Sequence, residues 1–156
     1  MRLIDLLSEE RIRVPLRARD RDGAIEELLQ VLVEAGAIPA KGLAGATAAV
    51  KKREASQTTG LGGGVAIPHG LSAEVEDVVA AMGVHPEGVD WQAVDGAPVR
   101  LVILLVVPPN MFQAHIRTLA GVARLLNDGR LRREVLAAAD AGAVMSILQS
   151  REGAAV

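Results

Sequence analysis

The sequence predicts one α/β domain in which helices cover a partly parallel β-sheet. Short apolar runs typical of strands alternate with stretches of helical periodicity at both ends of the chain. The run at 99–107 is apolar on both faces after Arg100, as expected of a central strand that is covered on two sides. A length of 156 residues is enough for a single domain with a sizeable core.

The N-terminal elements follow from the spacing of apolar residues. Residues 3–7 predict a short helix, and apolar and polar residues then alternate over 12–16, as in a half-buried strand. Over 25–33 apolar residues recur at helical spacing, and Asp20 or Asp22 can cap that helix.

The middle of the chain predicts a helix, a loop and three strands. An alanine-rich helix is expected from about 39 to 53. The stretch 58–64 is too rich in glycine for either regular element, so we interpret it as a loop that leads into a short strand at 65–68. Further strands are predicted at 78–84 and 99–107.

The C-terminal third predicts three helices. Asn110 and Gln113 stand in the relation of a capping box, which makes Asn110 the expected N-cap of a helix whose apolar stripe runs over 116–126. Shorter helices are indicated at 131–136 and 144–148.

The chain is expected to form one domain over residues 1–150, followed by a frayed tail at 151–156. No internal repeat or linker divides the first range, and the second is rich in small residues. Only Trp91 and Phe112 are aromatic, so the core is expected to consist of Ala, Val, Leu and Ile.

Charge and composition exclude several classes of protein. Lys and Arg total 17 against 19 Asp and Glu, and this net charge of −2 without a basic block disfavours nucleic acid as a partner. The absence of cysteine excludes disulfides, thiol nucleophiles and cysteine-based zinc sites. The longest apolar run, 101–107, is far shorter than the about 20 residues of a membrane span, so no membrane insertion is expected and a cytoplasmic location is the default.

The glycines at 60–64 invite a nucleotide-binding interpretation, which fails on spacing. Val65 stands where a dinucleotide fingerprint needs Gly or Ala, and no Lys-Ser or Lys-Thr pair completes a phosphate-binding loop. The stretch leads instead to His69, which follows Pro68 and precedes Gly70. Proline restricts the approach of the chain, and glycine leaves space around the ring.

His69 is the candidate nucleophile. A neutral imidazole nitrogen can attack a phosphoryl group without prior deprotonation. The backbone N–H groups of the loop and the hydroxyls of Thr58 and Thr59 can receive phosphate oxygens. The alternative is a histidine that only forms a hydrogen bond at the end of a strand, beside glycines that make a tight turn. The residues alone leave both interpretations open.

His115 lies on the apolar stripe of its predicted helix, in the first turn, so its ring is expected to point inward near the positive end of the helix dipole. There it can donate a hydrogen bond to an anion, although a core histidine with satisfied hydrogen bonds is the simpler explanation. His85 precedes Pro86 in a predicted turn and is given no function. No two histidines have the helical i, i+4 spacing, so no metal site is predicted.

Ordered blocks extend along most of the chain. They are Arg53-Glu54, Thr-Gly-Leu-Gly-Gly-Gly-Val-Ala-Ile-Pro-His at 59–69, Gly-Val-Asp-Trp at 88–91, Asp-Gly-Ala-Pro-Val at 95–99 and His-Ile-Arg-Thr-Leu-Ala at 115–120. Together these blocks resemble the fructose/mannitol-type (type 2) enzyme IIA domains of the bacterial phosphoenolpyruvate-dependent phosphotransferase system. The resemblance implies a three-layer α/β fold, a mixed β-sheet flanked by helices on both faces.

The resemblance also implies a role for each matching residue. His69 matches the histidine that takes a phosphoryl group on Nε2 from a phosphorylated HPr-type carrier, and His115 matches the second active-site histidine, which assists the phosphate. Arg53 matches an arginine whose permanent charge suits the added phosphate. The implied phosphate-binding loop contains Thr59, Gly60, Gly62 and Gly64. No metal or cofactor is implied.

The sequence departs from the family pattern in two places. Gly63 stands where an Asn is often found, and the loss of that side chain beside the acceptor is expected to loosen the loop. The segment 109–113 contains no acidic residue and presents Met111 and Phe112 at the expected rim of the site. This second departure bears on which partner the protein recognises more than on phosphorylation itself.

Three hypotheses follow for the activity. The first is a nitrogen-type regulatory IIA protein, phosphorylated on His69 and acting on a regulated target protein, which Ile-Pro-His-Gly at 67–70 and the lack of a cysteine-bearing IIB segment favour. The second is a sugar-specific IIA component that passes phosphate to a IIB partner during uptake of fructose or mannitol. The third is an interaction module that is never phosphorylated, which the presence of Arg53, His69 and His115 disfavours.

Overall fold

The computed structural model describes residues 2–154 and confirms the predicted class: a mixed six-stranded sheet lies between two layers of helices. The helices are α1 (Leu3–Leu6), α2 (Arg21–Glu34), α3 (Leu43–Ser56), α4 (Phe112–Leu126), α5 (Gly129–Leu136) and α6 (Ala141–Ala154). The strands are β1 (Ile12–Arg13), β2 (Gly60–Gly62), β3 (Val65–Ala66), β4 (His69–Leu71), β5 (Val79–Val89) and β6 (Val99–Val107).

Strand β6 is the centre of the sheet, as its continuous apolar run predicts. It pairs antiparallel with β5 on one side and parallel with both β3 and β4 on the other. Strands β3 and β4 follow one another along the same edge of β6, with Val65 opposite Leu101 and His69 opposite Leu105. The candidate nucleophile therefore begins a strand that pairs with the central strand.

Alternate residues of β6 enter two separate cores, because successive side chains of a strand point to opposite faces. Leu101, Ile103, Leu105 and Val107 pack with the layer of α1, α4, α5 and α6. Val102, Leu104 and Val106 pack with the layer of α2 and α3. All seven side chains are at most 1% exposed, and truncating a leucine or isoleucine in such a position typically costs about 2–5 kcal/mol of stability.

Several predicted elements are confirmed in detail. Helix α2 begins after Asp20, whose carboxylate accepts a hydrogen bond from the Gly23 N–H at 2.7 Å, so Asp20 and not Asp22 is the cap. Strand β6 has the predicted bounds. Strand β5 continues past the predicted end at Val84, through an irregularity in its pairing. His85 therefore lies within a strand, and the predicted turn at this residue is wrong.

Two local predictions are wrong for physical reasons. The glycine stretch is not only a loop: β2 and β3 form a short antiparallel hairpin, closed by Gly62, Gly63 and Gly64 with φ of +92°, +67° and +80°. Asn110 does not cap α4, because a 3-10 turn over Pro109–Met111 precedes the helix and Met111 takes the N-cap position without a side-chain hydrogen bond.

The C-terminal helix continues past the predicted domain end at residue 150. Helix α6 extends to Ala154, and the Glu152 carboxylate accepts hydrogen bonds from the backbone N–H groups of Leu3 and Ile4, both at 2.8 Å. The last two residues of the predicted tail, 155 and 156, lie outside the described residues. Within the described part of the chain, no helix has the length and apolar composition that crossing a bilayer requires.

Candidate functional site

His69 lies between two open clefts at the edge of the sheet. One cleft, of about 400 Å³, also contains Phe112 and Leu71 and is called the Phe112 cleft below. The other, of about 350 Å³, contains Thr59 and Leu119 and is called the Leu119 cleft. Arg53 lines both clefts together with His69. The structure thus brings together the predicted nucleophile and the predicted arginine.

The imidazole of His69 is oriented by its own backbone. Nδ1 lies 3.0 Å from the carbonyl oxygen of Ile67. A carbonyl oxygen only accepts hydrogen bonds, so this contact assigns the ring proton to Nδ1 and leaves the lone pair on Nε2. Among residues 2–154, Nε2 has no hydrogen-bond partner. The ring therefore presents an unprotonated nitrogen beside open space.

The approach of α3 to β4 explains why Gly70 follows the histidine. A Cβ atom at Gly70 would lie 2.9 Å from both the backbone nitrogen and a methyl group of Val50. Glycine allows α3 to pack directly on β4, and this packing brings the last turn of α3, with Arg53, beside His69. The Pro68 carbonyl accepts a hydrogen bond from the Leu105 N–H at 3.0 Å and holds the segment between β3 and β4 on the sheet.

Arg53 is held in place at the end of its helix. Its Nη1 donates to the carbonyl of Gln57 at 2.7 Å, and the side chain forms no salt bridge with a carboxylate of the described residues. Lys52 lines the Phe112 cleft as well. Two cationic side chains therefore lie beside the histidine, and a guanidinium suits the oxygens of a phosphate.

The predicted phosphate-binding loop is brought to His69 only in part. Thr59 lines the Leu119 cleft but is buried, and its hydroxyl donates to Glu54. Gly60, Gly62 and Gly64 line neither cleft beside the histidine. Gly62 lies in a separate cleft of about 320 Å³ at the tip of the hairpin.

The hairpin tip is held by groups that the sequence did not indicate. The Gly63 N–H donates to Asp95 at 3.0 Å, and a Cβ at Gly63 would lie 3.2 Å from Cζ of Arg132. The guanidinium of Arg132 thus covers the face of this glycine, and its Nη1 also donates to the Leu126 carbonyl at 2.8 Å. The loosening expected from the missing Asn side chain is opposed by these contacts.

His115 points inward, as its position on the helix predicts, and is 5% exposed. Its Nε2 lies 3.0 Å from the carboxylate of Asp77, and its Nδ1 lies 3.1 Å from the Thr118 hydroxyl. Because a carboxylate only accepts, Nε2 carries a proton that it donates to Asp77. His115 lines neither cleft beside His69, although other residues of α4 do. In this structure its ring has the satisfied hydrogen bonds of a core histidine.

Glu54 and Asp77 are two further residues at the site, and no sequence pattern predicts a role for either. Glu54 is 2% exposed and accepts hydrogen bonds from Thr59 and Trp91, and the buried Trp91 N–H, which needs an acceptor, was the only available signal. Asp77 lies 38 positions from His115, too far for any helical or strand spacing to connect them. Among the described residues, no three His, Asp or Glu side chains form a cluster that could hold a metal ion.

Residues 5–151 match the family described as "Phosphoenolpyruvate-dependent sugar phosphotransferase system, EIIA 2", and the chain belongs to this family.

Relatives include both regulatory and sugar-specific proteins. The chain is 32% identical over 148 residues to the nitrogen regulatory protein of Bradyrhizobium diazoefficiens, and the match covers 95% of each protein. It is 28% identical over 152 residues to the fructose-specific EIIABC component of Bacillus subtilis, covering 97% of this chain. The chain spans only 24% of the length of that second protein.

Solved structures confirm the fold. The nitrogen regulatory protein IIA-Ntr of Neisseria meningitidis superposes with a TM-score of 0.83 at 29% identity, covering 94% of this chain and 98% of that chain. The mannitol IIA enzyme of Escherichia coli, in a complex with phosphorylated IIB, superposes with a TM-score of 0.76 at 24% identity, covering 93% of this chain and 98% of that chain. The predicted mixed sheet with helices on both faces is the fold of these proteins.

Proposed function

We propose that this protein accepts a phosphoryl group on Nε2 of His69 from a phosphohistidine of an HPr-type carrier. The observation that carries the proposal is the orientation of the imidazole. Nδ1 is held by the Ile67 carbonyl, and Nε2 is the free nitrogen of a ring that lines two open clefts. Membership of the EIIA 2 family supports the same reaction.

The step is an exchange between two nitrogen atoms. The Nε2 lone pair of His69 attacks phosphorus, the new N–P bond forms, and the N–P bond to the carrier histidine breaks in line with it. The carrier histidine, protonated on its other ring nitrogen, takes the electron pair of the broken bond, loses its positive charge and leaves as a neutral imidazole. His69 becomes a phosphorylated imidazole that still holds its proton on Nδ1, and the Ile67 carbonyl stabilises the positive charge that develops there.

Arg53 supplies positive charge to the transferred group. It lies in both clefts beside His69, so its guanidinium can meet phosphoryl oxygens on either side of the ring. Positioning and charge stabilisation are the main contributions that such a transfer needs from a protein. The proposal assigns no phosphate contact to Gly60, Gly62 or Gly64, because they lie outside both clefts.

His115 also lies outside both clefts, so what supports a role for it is membership of the EIIA 2 family: in this proposal its Nε2–H assists the transferred group. The proton is donated to Asp77 before phosphorylation, and the negative charge of a nearby phosphoryl group competes with that carboxylate for it. We expect His115→Ala to slow transfer from the carrier about 10-fold to 100-fold and to leave His69 able to accept phosphate. Rapid-quench kinetics with the phosphorylated carrier measure the rate of phosphoryl transfer. An unchanged rate in a folded variant would remove His115 from the mechanism.

A nitrogen-type regulatory role is the activity that we favour. The relative from Bradyrhizobium diazoefficiens is a nitrogen regulatory protein that matches along 95% of its length, and IIA-Ntr of Neisseria meningitidis has a TM-score of 0.83. In this role, phosphorylation of His69 changes the binding of the protein to a regulated target. We expect the protein to act in the cytoplasm, where it would meet its carrier.

A sugar-specific role is the second candidate. The match to a fructose-specific EIIABC component favours it, and the mannitol IIA enzyme of known structure forms a complex with a phosphorylated IIB protein. In this role, the phosphoryl group of His69 passes to a IIB partner and then to fructose or mannitol. A module that is never phosphorylated is the third candidate, and the open Nε2 of His69 argues against it.

The central experiment is mass spectrometry of the intact protein after incubation with phosphoenolpyruvate, enzyme I and an HPr-type carrier. We expect the mass of one phosphoryl group, mapped to His69 under conditions that preserve phosphohistidine. His69→Ala should take up none while remaining folded, and His85→Ala serves as the matched histidine control. A phosphorylated His69→Ala protein, or a wild-type protein that stays unmodified beside a competent acceptor in the same tube, would refute the proposal.

The two favoured roles are separated by a second experiment. The protein is phosphorylated on His69 with ³²P-labelled phosphate and mixed with IIB proteins for fructose and mannitol. Transfer of the labelled phosphoryl group to each IIB protein is followed over time. Rapid transfer to a IIB protein supports the sugar-specific role. Retention of the label, with binding partners that differ between the phosphorylated and free forms, supports the regulatory role.

A further inference from the structure

Glu54 is a buried acidic residue beside the candidate site that the transfer step does not use. It lies in the last turn of α3 and is 2% exposed. Among the described residues no cation pairs with it, and three N–H or O–H donors converge on its carboxylate instead. An acceptor-only group that is buried with three donors is fixed in position by them.

Two of these donors belong to the same residue. The backbone N–H of Thr59 donates to Oε2 of Glu54 at 2.6 Å, and the Thr59 hydroxyl donates to Oε1 at 2.5 Å. The carboxylate therefore holds both the main chain and the side chain of Thr59. The third donor is Nε1 of Trp91, 2.7 Å from Oε1, on a side chain that is fully buried.

Thr59 connects this carboxylate to the phosphoryl acceptor through two further hydrogen bonds. Its carbonyl accepts from the Ile67 N–H at 3.2 Å, which extends the pairing of β2 with β3 by one step. The Ile67 carbonyl in turn accepts from Nδ1 of His69 at 3.0 Å. A displacement of Thr59 would therefore move the carbonyl that holds the imidazole.

We propose that Glu54 is a positioning residue for His69. By holding Thr59 it holds Ile67, and this keeps the ring proton on Nδ1 and the lone pair on Nε2. The proposal rests on the function proposed above and adds the reason why Nε2 is the nitrogen that reacts.

The chemistry of the contact requires a carboxylate and not an amide. The two oxygens of Glu54 meet only donors, whereas Gln at this position would turn its NH₂ group toward at least one of them. Gln can still keep both Thr59 hydrogen bonds, because its NH₂ group can donate to the Thr59 hydroxyl and the bond it then loses is the one to Trp91. Glu54→Leu removes both oxygens with a modest change in size and therefore breaks the hold on Thr59. Trp91→Phe is the matched control, because it removes one donor from the same carboxylate and leaves both Thr59 hydrogen bonds in place.

The first test uses the unphosphorylated wild-type protein with ¹⁵N-labelled histidine. At alkaline pH, the nitrogen chemical shifts of His69 report which ring nitrogen carries the proton. We expect the Nδ1–H form to dominate. A dominant Nε2–H form would overturn the proposal without any variant, so the test does not depend on whether Glu54→Leu folds.

The second test compares the variants. We expect Glu54→Leu to shift the ratio of the two forms of His69 about tenfold toward Nε2–H, the effect of losing one net hydrogen bond, and to slow phosphoryl transfer in parallel. Trp91→Phe should lower the unfolding midpoint and leave the ratio unchanged. An unchanged ratio in Glu54→Leu, or an equal shift in Trp91→Phe, would make Glu54 a structural residue only.

The outcomes for the proton position are independent of the carrier. The proton position is measured without phosphoenolpyruvate or any partner protein, so a failure of phosphoryl acceptance does not affect it. Phosphorylation of His69 in a protein whose dominant form is Nε2–H would support the proposed function and overturn the role of Glu54.

Discussion

Asp95 shows how a single exposed carboxylate holds the tip of the hairpin beside the site. It accepts hydrogen bonds from the backbone N–H groups of Ala97 and Gly63. These two hydrogen bonds, the Ala97 N–H first, lower the pKa of the Asp95 carboxyl below its ordinary value. The charged form is thus favoured in the folded chain, as expected for a carboxylate that accepts backbone N–H bonds.

The lowered pKa of Asp95 has a predictable effect on stability. A carboxyl group with a depressed pKa in the folded state stabilises the fold above its unfolded pKa, and this contribution is lost as pH falls through the folded pKa, below about pH 4. We expect Asp95→Asn to weaken the pH dependence of unfolding in this range and to speed hydrogen exchange at the Gly63 N–H. An NMR titration that gives Asp95 a pKa at or above its ordinary value would contradict this account.

Gly63 allows a second residue-scale prediction. Its φ of +67° is tolerated by Asn, but the new Cβ would lie 3.2 Å from Cζ of Arg132 and displace the guanidinium. We expect Gly63→Asn to lower the free energy of unfolding by about 1 kcal/mol, measured by urea denaturation. Gly45→Ala is the control: it lies in α3 with nothing within 4 Å of its Cβ, and should raise the value by about 0.5–1 kcal/mol.

At the residue scale, the sequence predicts the functional residues that belong to motifs, but not those whose role depends on contacts with distant parts of the chain. His69 and Arg53 belong to blocks with a recognisable pattern, and the structure places them in the same two clefts. Asp77 and Glu54 take their importance from hydrogen bonds to side chains on other elements. No spacing along the chain encodes such contacts, so only the folded structure shows them.

Helix α6 depends on a contact with the other end of the chain. Glu152 accepts hydrogen bonds from the N–H groups of Leu3 and Ile4, and so satisfies the free donors at the start of α1. Helix α1 has only four residues and cannot satisfy these donors itself. The sequence predicts fraying here because its residues are small, and the partner of Glu152 lies 149 positions away.

Removal of this contact should destabilise the fold. We expect Glu152→Ala to lower the free energy of unfolding by about 1.5–3 kcal/mol, the range for hydrogen bonds to a charged group. Chemical denaturation measures the change, and Gln149→Ala, an exposed position on the same helix, is the control. An equal loss in both variants would show that helix propensity, and not the contact with α1, stabilises α6.

Elements with a strong local pattern are predicted well, and the predictions for the glycine stretch and for the Asn110 cap fail for opposite reasons. Helix α2 and strand β6 have apolar periodicity that matches their burial, so their bounds follow from the sequence. Strand β2 consists mainly of glycine and is stabilised by pairing with β3, which overrides its low propensity. Asn110 has the chemistry of a cap, but the turn that begins at Pro109 occupies its position.

At the scale of the whole molecule, the two helical layers meet beside His69. Helix α3 belongs to one layer and supplies Arg53, and helix α4 belongs to the other and supplies Phe112 and Leu119. The histidine lies on the sheet between them, opposite Leu105 of the central strand. A charge added to His69 therefore interacts electrostatically with helices of both layers.

Phosphorylation should consequently produce a response in both layers that is confined to the end of the molecule around His69. The phosphoryl group adds a charge of about −2 between the cations of α3 and the N-terminal half of α4, where the helix dipole also attracts it. We expect slower amide exchange, measured by mass spectrometry, in the last turn of α3 and the first half of α4, and no change in β1 or α2. His69→Ala in the same phosphorylation mixture is the control. Protection in only one layer, or spread evenly along the sheet, would mean that the two helices do not share the phosphate, because shared attraction must order both.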